Sequence, residues 1–236
     1  LASPYLRGRL LDNLGNEGRQ GNGFNPLVPR EPQGQPIFRP YDVGLNFEHI
    51  FNGVAADNDR TMFTPREDPV HLSRIDDRTA ALHWPAEGSA WGADARMTYT
   101  FAADACAVDM DFEIMFMKDH FPLGYAAMMW ASYMEGAEGR EIHFRGTRDG
   151  QRGWVSFGKR QPGGAIEMGA VAHEGQPPLP YEEGAIALNV EQSTEVVFTE
   201  PFYYGLVDAD HDEATTDDIL AYVMMFDRAE PLRFAT

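Results

Sequence analysis

The sequence predicts an all-β protein: an antiparallel β-sandwich of supersandwich or jelly-roll type, residues 41–236, preceded by an irregular Gly/Pro-rich arm over residues 1–40. Three observations carry this. Short apolar stretches recur between turn signals such as Asn52-Gly53, Asp149-Gly150 and Pro162-Gly163-Gly164. Several stretches alternate apolar and polar residues with period two, the spacing that gives a strand one buried and one wetted face. The 236 residues are 43% hydrophobic and 24% charged, enough apolar chain to close a core.

The arm carries Gly15, Gly18, Gly21 and Gly23 and then Pro26, Pro29, Pro32, Pro36 and Pro40, with few periodic apolar positions. Asn46–Phe51 reads as a strand with Asn46 and Glu48 on one face and Phe47, His49 and Phe51 on the other. Glu48 and His49 then enter one cleft only through a bulge. Met97, Tyr99 and Phe101 alternate with Thr98 and Thr100, and Val108, Met110, Phe112 and Ile114 alternate with Asp109, Asp111 and Glu113. Tyr125–Met134 holds helix-compatible Ala and Met, but Pro122, Gly124 and Gly136 confine it to about ten residues, which favours a strand. Glu141, His143 and Arg145 project from one face of a strand that points Ile142 and Phe144 the other way. Trp154, Ser156 and Gly158 lie opposite Val155 and Phe157, and Val196–Phe198 is a β-branched and aromatic run. Thr216-Asp217-Asp218 would suit a helix N-terminus before Ile219–Phe226, although that run also reads as a strand.

Charge narrows the partners. With 37 Asp and Glu against 19 Lys and Arg, the net charge is −18 and no basic run exists, so neither nucleic acid nor an anionic membrane surface is an expected partner. Cys106 is the only cysteine, which excludes an intrachain disulfide and cysteine-based zinc frameworks. The first residue is Leu1 rather than Met, so the compartment is open; a secreted or periplasmic location follows if a signal peptide has been removed. Oligomeric state is not readable.

No metalloprotease, nucleotide-binding or nucleophile-elbow motif is present. The candidate chemistry rests instead on side chains sharing strand faces. Glu48 and His143 are the expected acid/base pair, with Arg145 orienting or neutralising a substrate oxygen. Glu141, His49, Trp130, Tyr133 and Tyr204 are the expected substrate contacts, since sugar C–H faces pack on flat rings while acids, imidazoles and guanidiniums meet hydroxyls. Solvated mixed-charge faces would show the same spacing. The row Asp109, Asp111 and Glu113 is either a wet face or part of a metal or sugar site. No cofactor is required. Asp208, Asp210 and Asp212 alternate as the acids opening a calcium loop do and would take Ca2+, although Glu213 stands at the turn glycine and Ile219 at the closing glutamate.

The segments NFEHIF (46–51), MFTPREDP (62–69), WASYM (130–134), PFYYGLVD (201–208) and MMFDR (224–228) resemble, in that order, a group of uncharacterised bacterial β-sandwich proteins. The resemblance implies a galactose-mutarotase-like supersandwich, an architecture shared by sugar epimerases, polysaccharide lyases and noncatalytic domains of glycoside hydrolases. No local motif matches the acid and base of the epimerases, so the resemblance transfers no residue role. Together these readings lead to a carbohydrate-active enzyme performing hydrolysis, elimination or epimerisation in a concave cleft of the sandwich, with a noncatalytic glycan-binding or interaction module, with or without stabilising calcium, as the alternative.

Overall fold

The computed structural model describes residues 1–13, 22–30, 36–38, 44–55, 60–134, 141–159, 167–185, 192–208 and 219–236. The chain divides into two compact units, one of Leu1–Asn52 with Ala56–Glu135, the other of Gly53–Ala55 with Gly136–Thr236. The regular structure of both is almost entirely strand, in keeping with the turn spacing and the alternation. The division differs from the expected arm plus single domain. Evenly spaced strands say that a core exists but not which strands share it, and here two separate groups of strands each close their own.

The first unit contains β1 (Leu6–Leu11), β2 (Gly23–Pro29), β3 (Leu45–Phe51), the single turn α1 (Thr64–Glu67), β4 (His71–Arg74), β5 (Thr79–Trp84), β6 (Ala93–Phe101), β7 (Val108–Phe116) and β8 (Ala127–Ser132). They form two antiparallel sheets, β1-β2-β3-β8 and β4-β5-β6-β7. Rings from the two sheets meet between them: Phe24 lies edge-on to Tyr99 at 4.9 Å, Phe47 to Trp84 at 5.4 Å, and Phe112 to Trp130 at 4.4 Å. This is the interior of a β-sandwich.

The lead-in is therefore structural. Leu6, Leu10, Phe24, Leu27 and Val28 are buried in β1 and β2; Gly23 and Pro29 stand at the ends of β2 and Pro26 within it, while Gly15, Gly18, Gly21, Pro32 and Pro40 lie outside the described residues. In β1 the alternation is present, with Leu6 and Leu10 buried against exposed Arg7 and Arg9, whereas β2 is buried at every position but Pro26 and so shows no period-two pattern to read. On β7 the alternation holds residue by residue, and Asp109, Asp111 and Glu113 are exposed opposite the half-buried Val108, Met110, Phe112 and Ile114.

The second unit contains β9 (Ile142–Arg148), β10 (Gln151–Phe157), β11 (Ala170–His173), β12 (Gln192–Phe198), β13 (Phe202–Asp208), β14 (Ile219–Met225) and β15 (Arg233–Ala235). Their order is β14-β13-β9-β12-β11-β15, with β10 paired to β9. Among the described strands only β11 and β12 run parallel. Phe144, Val155, Phe157, Val171, Val196, Phe198 and Phe234 form the core, joined by Tyr203 and Phe226. The 219–225 stretch is strand, not helix. Among the described residues, no helix is long and apolar enough to cross a membrane.

Candidate functional site

In the first unit, the register between β3 and β8 runs Phe47 to Trp130 and then His49 to Met129. Two residues of β3 therefore stand against one step of β8, and Glu48 is the extra one. That is the bulge the sequence demanded if Glu48 and His49 were to share a site. It brings His49 Nε2 to 3.5 Å from Glu48 Oε1. Arg66 Nη1 donates to the same oxygen at 2.9 Å, and the Tyr133 hydroxyl donates to it at 2.8 Å. Glu48 is 2% exposed, and its Oε2 has no hydrogen-bond partner among the described residues.

Burial pushes the Glu48 carboxyl up. The hydrogen bonds from His49 and Tyr133, with the electrostatic attraction of His49 and Arg66, outweigh it and hold the group below the usual glutamate value. The site thus contains an ionised carboxylate.

The segment carrying Arg66 is tied down from several sides. Asn22 Nδ2 donates to the carbonyls of Phe47 (3.0 Å) and Pro65 (2.8 Å), and Trp84 Nε1 donates to the Pro65 carbonyl at 2.9 Å. Asn13 donates to the carbonyls of Arg66 and Asp68 and accepts from the Val70 N–H at 3.1 Å. Phe63 lies edge-on to the His49 ring at 4.6 Å.

Asp68, on the same segment, has its carboxyl pushed up to about 6 by burial, against the opposing hydrogen bonds from Ser89 and the Ala90 N–H. An acid with a raised folded value binds more protons folded than unfolded between the ordinary 3.8 and about 6, so it lowers stability as pH rises through that window. Asp68→Asn should therefore raise Tm at pH 7.5 by about 3 °C, with the gain vanishing near pH 3.5. Calorimetry at the two pH values checks this, and equal gains at both would refute it.

In the second unit, β9 sends His143 and Arg145 to the face opposite Phe144. Arg145 stands across from Trp154 on β10, and His143 stands between Ser156 of β10 and Tyr204 of β13. His143 Nδ1 and Ser156 Oγ are 2.9 Å apart, and the His143 ring stacks on Tyr204 at 4.8 Å and 21°. Trp154 is 59% exposed. Tyr204 and Phe202 lie edge-on to its ring at 5.7 and 5.9 Å, and the Arg145 guanidinium sits 5.4 Å from its centroid. Arg145 Nε is 4.0 Å from Glu200 Oε1, an exposed and weak pair.

The expected residues thus fall into two groups. Glu48, His49 and Tyr133 join one network, and His143, Arg145 and Tyr204 join another. Glu48 takes its guanidinium from Arg66 and its imidazole from His49, rather than from Arg145 and His143. Trp130, expected to stack on substrate, instead packs against Phe47 at 4.8 Å and Phe112. Glu141 immediately precedes β9, two residues from His143. Of the expected calcium ligands, Asp210 and Asp212 lie outside the described residues and Asp208 is described only as the end of β13. Among the described residues no cluster of three potential metal ligands occurs.

Sequence reasoning passed over Arg66, Trp154 and Ser156 as site residues. For the last two the signal was present, since alternation against Val155 and Phe157 already turned them outward. For Arg66 no local pattern existed, because its partner is 18 residues away. No family model, curated protein or solved structure matches the chain.

Proposed function

We propose that the second unit binds carbohydrate on the face formed by β9, β10 and β13, with Trp154 as the stacking platform. The observation that carries this is an indole left 59% exposed and yet fixed in orientation by Arg145, Phe202 and Tyr204. Exposing so large an apolar ring forgoes about 1.5–3 kcal/mol of burial, which a sugar C–H face would recover. Arg145, His143, Ser156 and the Tyr204 hydroxyl supply donors and acceptors at its rim for sugar hydroxyls.

Titration calorimetry against a panel of soluble polysaccharides tests the proposal. Trp154→Ala should weaken binding at least about tenfold with little change in Tm, because the removed ring is mostly outside the core. No binding to any polysaccharide, or equal binding by the variant, would remove the proposal.

A second reading, acid/base catalysis on a sugar, is favoured by the bulge that collects a carboxylate, an imidazole, a guanidinium and a phenol at one point, with Glu48 Oε2 unpartnered among the described residues. It ranks second because Glu48 and His49 are 2% and 5% exposed, and because the segment over them is firmly bonded in place.

A further inference from the structure

The first unit holds a wide-mouthed surface hollow of about 580 Å³, lined by Leu1, Ala2, Ser3 and Pro4 and by Arg30, Arg74, Asp77 and Arg78. Three guanidiniums around one hollow are unexpected in a chain of net charge −18, which has acids to spare for neutralising them. Among the described residues Asp77 is the only acid in the lining, and Arg74 Nη2 donates to its Oδ1 at 2.5 Å. The neighbouring Asp76 carboxylate accepts instead from the backbone N–H groups of Arg78 and Thr79, both at 2.7 Å, so it closes the turn between β4 and β5.

Two of the guanidiniums are held in place. Arg74 Nε donates to the Asp76 carbonyl at 3.2 Å, and Arg78 Nη1 donates to the Phe101 carbonyl at 3.3 Å. The Ala2 N–H donates to the Asp77 carbonyl at 3.2 Å, which joins the wall of the hollow to the same turn. Arg30, just beyond β2, forms no side-chain ion pair with a described residue. Asp77 pairs with Arg74 and the Asp76 carboxylate attracts Arg78, so the three guanidiniums face two carboxylates and Arg30 is left as the surplus positive charge.

We infer that this hollow is a binding site for a small molecule carrying an oxyanion, a carboxylate or a sulfate. Guanidinium forks match planar carboxylates and tetrahedral oxyanions with paired N–H donors. The volume falls within the range of small-molecule sites. An anion there relieves the mutual repulsion of Arg30, Arg74 and Arg78, so affinity resides in the charge. The inference does not depend on carbohydrate binding by the second unit.

Calorimetric titration of the full chain with galacturonate, sodium sulfate and neutral galactose, at ionic strength held constant with chloride, is the test. Galacturonate and sulfate should bind and galactose should not; sulfate alone would assign the site to the free oxyanion rather than to a sugar acid. Arg30→Gln and Arg78→Gln should each weaken anion binding about tenfold, Asp77→Asn should strengthen it, and Trp154→Ala should leave it unchanged. These side chains are exposed, and Tm confirms that each variant is folded. Failure of both anions to bind above the chloride background, equal binding of galactose, or full affinity in both arginine variants would overturn the inference.

Discussion

Replacing Glu48 by Ala should destabilise the first unit by about 3–5 kcal/mol at pH 7. The carboxylate is the common acceptor for Arg66 and Tyr133 and lies 3.5 Å from His49 Nε2. Its removal strands a guanidinium over a buried bulge and leaves the segment around α1 without its charged anchor.

The sign with pH follows from the lowered carboxyl. Stability from Glu48 is fully present above its ordinary value of 4.5 and is lost as pH falls through its lower folded value. Wild type and Glu48→Ala should therefore converge in acid, and denaturant melts from pH 7 to pH 3 check it. A constant difference across that range would show that the loss comes from packing rather than charge.

Glu48→Gln separates stability from chemistry. It keeps the shape and an acceptor oxygen while removing the charge, so it should cost less than Ala. If the second functional reading holds, this variant loses turnover on a glycan substrate while remaining folded. Unchanged turnover by a folded Glu48→Gln would discard that reading.

Gly23→Ala should cost about 3 kcal/mol or more. Gly23 has φ +112°, a conformation side-chain-bearing residues rarely adopt, and a Cβ there would lie 1.9 Å from the Leu45 carbonyl oxygen. That oxygen is backbone of β3, two residues before Phe47, and cannot swing aside as a flexible side chain would. The close approach lets β2 pair with β3 at Phe24 and Leu45. Melting of the variant measures the effect; a loss below about 1 kcal/mol would mean that the strand moves away without penalty.

Gly23 also shows why its region was misread. Gly and Pro mark turns in most contexts, and a cluster of them resembles an irregular arm. Here one glycine serves close strand packing, and the apolar residues around it are few, yet most of them are buried. Phe24 is 0% exposed. Density of apolar residues was the wrong measure, since what mattered was the partner each one met.

The sequence by itself determined the strand class and the facing of individual strands. Period two is a local property of extended backbone, so Asp109, Asp111 and Glu113 could be placed opposite Phe112, and Trp154 opposite Val155, without knowing any neighbour. The sequence also stated the condition for Glu48 and His49 to act together, namely a bulge. Only the tertiary structure decided that the bulge exists, because it depends on how β3 registers against β8, some eighty residues later in the chain. The same holds for Arg66 as the partner of Glu48, for the separation of Glu48 from His143 and Arg145 into different units, and for the gathering of Arg30, Arg74 and Arg78 around one hollow. These are long-range pairings set by packing, and the local alternation of side chains contains no record of them.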